Sequence, residues 1–112
     1  MKLFINTISI VSITTALCLP ATSQALQTFT IEIKDHQFHP TEVTIPADQK
    51  VKLRVKNMDN TAEEFESYEL HREKIIRGNS TATIFVGPLK PGSYTFFGEF
   101  NPKTAQGRII VK

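Results

Sequence analysis

Apolar and polar residues alternate with a period of two along most of the chain. Phe29, Ile31 and Ile33 interleave with Thr30, Glu32 and Lys34. Val51, Leu53 and Val55 interleave with Lys50, Lys52, Arg54 and Lys56. Val43 and Ile45 obey the same rule up to Pro46. Ala82, Ile84 and Val86 do so before Gly87-Pro88, Tyr94 and Phe96 alternate with Thr95 and Phe97, and Ile109, Ile110 and Val111 close the chain. Successive side chains of a strand point to opposite faces, so each run predicts a strand with one face in a core and the other in water. No stretch carries a helical period. The segment from Glu64 to Ile76 is less regular: Phe65, Tyr68, Leu70, Ile75 and Ile76 fit two short strands or include one irregular turn.

Turn formers separate the runs: Pro46-Ala47-Asp48-Gln49, Asn57-Met58-Asp59-Asn60, Arg77-Gly78-Asn79-Ser80 and Lys90-Pro91-Gly92-Ser93. Each favours a turn through fixed φ, permissive φ or side-chain hydrogen bonds to its own backbone. The chain has no internal repeat, linker or low-complexity tract. Seven or eight short strands in one small domain predict an all-β fold, a single Greek-key antiparallel β-sandwich.

The first 25 residues read differently. Lys2 precedes an apolar run from Leu3 to Leu19, diluted by Asn6, Thr7, Ser9, Ser12, Thr14 and Thr15, and Ser23-Gln24-Ala25 offers small residues for cleavage. This is the pattern of a secretory signal peptide over residues 1–25, and it predicts an exported, periplasmic protein with no membrane span after cleavage. The polar dilution argues against an uncleaved anchor, and Leu17 before Cys18 against a lipid attachment site. Removing residues 1–25 from the 112 leaves 87, room for one domain over residues 26–112. Cys18 is the one cysteine and leaves with the signal, which excludes structural Cys-type zinc and any thiolate copper site in the remaining domain. The net charge of +2 falls to about +1 without Lys2, and no basic patch interleaved with aromatics suggests nucleic acid. No Ser or Cys sits in a nucleophile elbow, and the glycines form turns, not a phosphate cradle, so the chain does not read as an enzyme.

The acidic residues are unevenly placed: Glu63, Glu64, Glu66, Glu69 and Glu73 fall within eleven positions. In the plainest reading they are solvated charges facing Arg72, Lys74 or Arg77. Parity constrains any other reading. If Phe65 points inward, Glu63 shares its side, while Glu64 and Glu66 take the other. His36 and His39, three apart, fall on opposite sides of an extended segment. His71 reads as a surface residue.

Three motifs carry a family resemblance. Asp35-His36-Gln37-Phe38-His39-Pro40 is similar to the D-x-x-F-x-P of cupredoxins, with Phe38 as core anchor. Asn57 through Ser67 falls where cupredoxins have N-x-x-x-x-x-H-x-F, with Glu63 at the His position. Pro91 to Phe97 is similar to the P-G-x-Y-x-F-x that precedes the usual copper-binding Cys. The resemblance covers nearly all of residues 26–112 and implies a cupredoxin-like sandwich. It also implies that the copper ligands are replaced: Gly98 stands for the Cys, Asn101 for the second His, and Thr104 lies near the Met. A type 1 copper centre needs a thiolate, so none is expected. E-E-F-E-S, H-R-E-K and F-F-G-E-F-x-P-K-T-A-Q-G are similar to a subgroup of small periplasmic cupredoxin-like proteins associated with bacterial iron uptake through high-affinity iron permeases. That subgroup has a His at Asn101.

On this template three loops meet at one pole and bring His36, Glu63 and Glu99 together, with Glu66 just below. The resemblance therefore implies a metal site of His36, Glu63, Glu66 and Glu99 for an iron or copper ion. It implies a function in ferrous oxidation or in delivery to an iron permease. The alternative is a metal-free sandwich acting as an interaction subunit of a transporter complex, with the basic strand face of Lys50, Lys52, Arg54 and Lys56 as its docking surface.

Overall fold

The alternating runs form nine strands among the described residues of a computed structural model, which describes residues 2–4, 7–18 and 25–112. They are β1 (Thr28–Lys34), β2 (Gln37–His39), β3 (Glu42–Ile45), β4 (Val51–Asn57), β5 (Glu63–Ser67), β6 (Arg72–Ile76), β7 (Thr81–Val86), β8 (Gly92–Gly98) and β9 (Gln106–Val111). The irregular segment resolves into β5 and β6, joined by a turn at residues 68–71, and β2 is a three-residue strand after the Asp35-His36 turn. β2 raises the count above the seven or eight expected. Ser23 and Gln24 of the expected cleavage site lie outside the described residues. No described helix is long and apolar enough to cross a membrane.

Two sheets pack face to face, ordered β2-β1-β4-β7 and β3-β9-β8-β5-β6. Both are mixed, because β1 pairs parallel with β4 and β3 pairs parallel with β9. The cause is topological. After β2 the chain crosses to the second sheet as β3, turns at residues 46–50, and returns as β4 beside β1 in the same direction.

The residues facing inward from both sheets make the core: Ile31, Ile33, Val51, Leu53, Val55, Phe65, Phe96, Ile109 and their neighbours are buried. Phe38, Phe65 and Phe96 meet at its centre, with ring centroids 4.9 Å apart for Phe38–Phe96 and Phe65–Phe96, and 6.2 Å for Phe38–Phe65. Burying each ring stabilises the fold by about 1.5–3 kcal/mol, and each edge or stacked contact adds about 0.5–1.5 kcal/mol. Among the described residues, all nine strands and every core side chain lie between residues 28 and 111, so that span holds the described core.

Candidate metal centre

Strand β5 positions most of the acidic residues. All five of its residues are buried, although two face away from the core. Phe65 points into the core, so Glu63 and Ser67 share its side, while Glu64 and Glu66 project from the outer face of the five-stranded sheet. Register then fixes the neighbours. Glu66 lies opposite Glu73 on β6 and Phe97 on β8, and Glu64 lies opposite Ile75 on β6. Just past β8 the Glu99 amide donates to the Glu64 carbonyl at 2.9 Å, which sets Glu99 beside Glu64.

Glu64, Glu66 and Glu99 each offer a carboxylate oxygen within 4.8 Å of the others. Like charges set side by side across strands repel, and here no side-chain cation is set against them. Among the described residues none of Glu64, Glu66, Glu73 and Glu99 forms an ion pair with a Lys, Arg or His; the ion pairs present are His36–Asp59 and Arg108–Glu42. Arg72, one of the three cations expected to face them, is committed to backbone carbonyls of Phe85, Leu70 and His71. Glu66 is 8% exposed, and its Oε2 is buried without a hydrogen-bond partner.

Protonation reflects this crowding. Hydrogen bonding with Glu73 is the largest cause that pushes the Glu64 carboxyl up to about 7, followed by desolvation and the charges of Glu73, Glu99 and Glu66. Desolvation first, then the Glu73 and Glu99 charges, raises Glu66 as well, and a hydrogen bond from Glu64 partly offsets the rise. An open groove of about 380 Å³, lined by Glu66, Ser67, Tyr68, His71, Arg72 and Glu73, gives access from solvent. Tyr68, part of its wall, packs against Phe97 with ring centroids 5.5 Å apart.

The other sequence-expected ligands go elsewhere. Glu63 is 1% exposed on the inner side. Its Oε1 accepts from the Glu64 and Phe100 amides at 3.0 and 2.9 Å, and its Oε2 from Asn101 Nδ2 at 2.7 Å. His36 sits in the turn between β1 and β2 with φ of 57°. The Asp59 carboxylate accepts from the Asp35 and His36 amides at 2.8 and 3.0 Å and lies 3.7 Å from His36 Nδ1. These bonds, the His36 amide foremost, hold the Asp59 carboxyl below its ordinary range. The His36 ring lies against Asp59 and is not grouped with the outer glutamates. The four expected ligands thus fall into three places: Glu66 and Glu99 meet on the outer face, Glu63 is inside, and His36 pairs with Asp59. Glu64 and Glu73 complete the outer group and were not singled out as ligands from the sequence. The parity of β5, which sets Glu64 and Glu66 on one side, was the signal for Glu64.

The sequence profile of the cupredoxin-like domain family matches residues 7–111. The chain belongs to the cupredoxin-like domain family. An uncharacterised protein of Rickettsia prowazekii (strain Madrid E) is 52% identical over 81 residues, which span 72% of this chain and 65% of that protein; the match thus leaves about a third of the relative's own length uncovered. Among solved structures the chain is similar to auracyanin A, a blue copper protein of Chloroflexus aurantiacus. The TM-score is 0.68 at 17% identity, over 79% of this chain and all of that one. It is also similar to the metal-binding domain of the Cu(I)-exporting P-type ATPase of Streptococcus pneumoniae D39, with a TM-score of 0.67 at 16% identity, over 80% and 89% of the two chains. Likenesses at these identities show the fold.

Within this cupredoxin-like chain, the positions that the motifs align with copper ligands carry Glu63, Gly98 and Asn101, with no sulfur and no imidazole among them. A copper ion that requires a thiolate does not fit that donor set. The outer trio has different chemistry. Three carboxylates and an accessible groove suit a hard cation bound through oxygen.

Proposed function

We propose that this cupredoxin-like chain is an exported metal-handling accessory protein that binds a divalent cation at Glu64, Glu66 and Glu99, with Glu73 beside them. The observation that carries this reading is the buried, unpartnered Oε2 of Glu66 within a carboxylate group that has no cation of its own. A buried anion without donor or counter-ion is costly, and a bound cation removes that cost. All-oxygen donors favour iron or manganese over Cu(I). Together with the E-E-F-E-S and F-F-G-E-F-x-P-K-T-A-Q-G resemblance, this supports a place in periplasmic iron uptake, either assisting ferrous oxidation or delivering iron to a permease.

The test is calorimetric titration of residues 26–112 with Fe(II) under anaerobic conditions, and with Mn(II) and Cu(II) in parallel. The expected result is stoichiometric uptake of Fe(II) and Mn(II), weakened more than about tenfold by Glu66→Gln or Glu99→Gln. No uptake at micromolar metal sinks the reading.

The second reading is a metal-free interaction subunit. It is favoured by the central strand of the other sheet, where Lys52, Arg54 and Lys56 project outward, opposite Thr28, Thr30 and Glu32 of β1, and none forms an ion pair among the described residues. Charge reversal at Arg54 that abolishes co-purification with a membrane partner, with metal uptake absent in the unaltered protein, selects it.

A further inference from the structure

The inner side of β5 raises a separate question: what a buried carboxylate does at the place where the family resemblance puts copper. We infer that Glu63, Gly98 and Asn101 form a hydrogen-bonded clasp that fills this place and positions Glu64 and Glu99 on the outer face. Glu63 is then a positioning residue that touches no metal. The inference rests on the reading of the outer trio as a metal site.

The geometry of one carboxylate carries it. Glu63 Oε1 accepts from the Glu64 amide and from the Phe100 amide. One donor belongs to an outer ligand and the other to the residue directly after an outer ligand. A single oxygen therefore ties the backbones of Glu64 and Glu99 together from behind the sheet. Strand pairing cannot do this alone: the β5–β8 register runs through Glu66–Phe97 and Phe65–Gly98, and one further bond, Glu99 N to Glu64 O, follows it. Beyond that bond the chain leaves the sheet, and Phe100 N finds its acceptor in Glu63. The second oxygen holds Asn101, whose carbonyl in turn accepts from the Thr104 and Ala105 amides at 3.2 and 2.9 Å and closes the loop onto β9.

Gly98 is the condition for this arrangement. A Cβ there would lie 2.6 Å from the Glu63 carboxyl carbon, 2.9 Å from its Oε1 and 2.7 Å from the Ala105 Cβ. Those separations are below any real carbon contact, and the Glu63 group is held by three donors and cannot swing aside cheaply. A cysteine at 98 and an inward carboxylate at 63 compete for one volume. Loss of the thiolate and gain of the clasp are thus one structural change. With both Glu63 oxygens engaged by hydrogen-bond donors, Glu63 is committed to the loop rather than to a cation, and metal handling falls to the outer face.

The test uses Mn(II) titration of residues 26–112 together with amide hydrogen exchange at Glu64 and Phe100, in the unaltered protein and in E63A, E63Q and N101A. E63A is expected to weaken Mn(II) binding about ten- to a hundredfold, the usual effect of losing a group that orients a metal ligand, and to speed exchange at both amides. E63Q is expected to keep both properties, because its amide oxygen still accepts the two backbone bonds and Asn101 can turn its own oxygen toward the new donor. N101A, which leaves the two backbone bonds in place, is expected to weaken binding less than E63A and serves if E63A does not fold. If E63Q loses Mn(II) as E66Q does, Glu63 is a ligand and the clasp is overturned. If E63A binds as the unaltered protein does, the clasp is overturned and the outer site stands. If the unaltered protein binds no Mn(II), the outer site itself fails, and the positioning role fails with it. Slow exchange at Phe100 that E63A abolishes would then still mark the hydrogen-bonded closure of the inner pocket.

Discussion

Glu63 and Glu64 are adjacent, chemically identical and both buried, yet they face opposite sides of β5 and meet opposite conditions. Glu63 receives three hydrogen bonds, two of them from backbone amides. Glu64 meets three other carboxylates and no cation, and its carboxyl is pushed up to about 7. The difference lies in the count of donors, not in depth: Glu63 is 1% and Glu64 7% exposed. Burial turns a carboxylate into a structural bolt where donors are supplied, and into a vacancy for protons or cations where they are not.

The sharpest way to break this contrast is to remove the satisfied member. Glu63→Ala leaves the Glu64 and Phe100 amides and the Asn101 carboxamide without an acceptor and opens a cavity among them. Each stranded buried donor costs about 1–3 kcal/mol, and with partial relaxation the domain should lose about 3–4 kcal/mol in denaturant unfolding. A loss under about 1 kcal/mol means that water replaces the carboxylate freely and that the inner side is no bolt. Gly98→Ala attacks the same group from the other strand, by crowding rather than deletion. Overpacking of this kind costs about 1–3 kcal/mol, and the double variant should cost less than the sum, because truncating Glu63 makes room for the new methyl. Strict additivity in that cycle would show that the two positions do not share one volume.

How far this contrast was legible in the chain follows from what sets each part. The sandwich was legible because period-two alternation and turn residues are local signals, and the family motifs set them in order. The inward turn of Glu63 and the outward turn of Glu64 and Glu66 also followed from parity around Phe65. The strand count and mixed pairing were not legible: β2 is too short to show a period, and parallel partners depend on where the chain crosses between sheets. The site was read only in part. His36 was placed by motif alone, and its orientation depends on Asp59, 23 residues away, capturing both amides of its turn. The Glu63–Asn101 bond spans 38 residues, and no local pattern announces it. Glu73 joins the outer group only through the β5–β6 register.

On the outer face the signs reverse. Glu66→Gln removes a buried charge whose Oε2 has no donor and relieves its neighbours, so at neutral pH it should raise the melting temperature of the metal-free domain. It should also abolish the further rise that Mn(II) produces in the unaltered protein. A fall in melting temperature without metal would mean that Glu66 has a stabilising partner in solution, and the contrast with Glu63 would collapse.

The gentlest probe is pH. In the unfolded chain these carboxyls titrate near 4.5, whereas folding holds Glu64 up at about 7 and raises Glu66 in the same direction. Between those values the folded state keeps protons that the unfolded state releases. The contribution of this group to stability is therefore complete below about 4.5 and is lost as pH rises through about 7. The Asp59 shift has the opposite sign, but it acts only below its ordinary 3.8, outside this window. The metal-free domain should accordingly melt at a lower temperature at pH 7.5 than at pH 5. Saturating Mn(II) should flatten or invert that slope, because the cation replaces the protons that the glutamates give up. Glu64→Gln should flatten the slope of the metal-free domain, since Glu64 carries the rise to about 7. A slope that persists unchanged in Glu64→Gln and in Glu66→Gln would take the titration away from the outer face and undo the contrast between the two sides of β5.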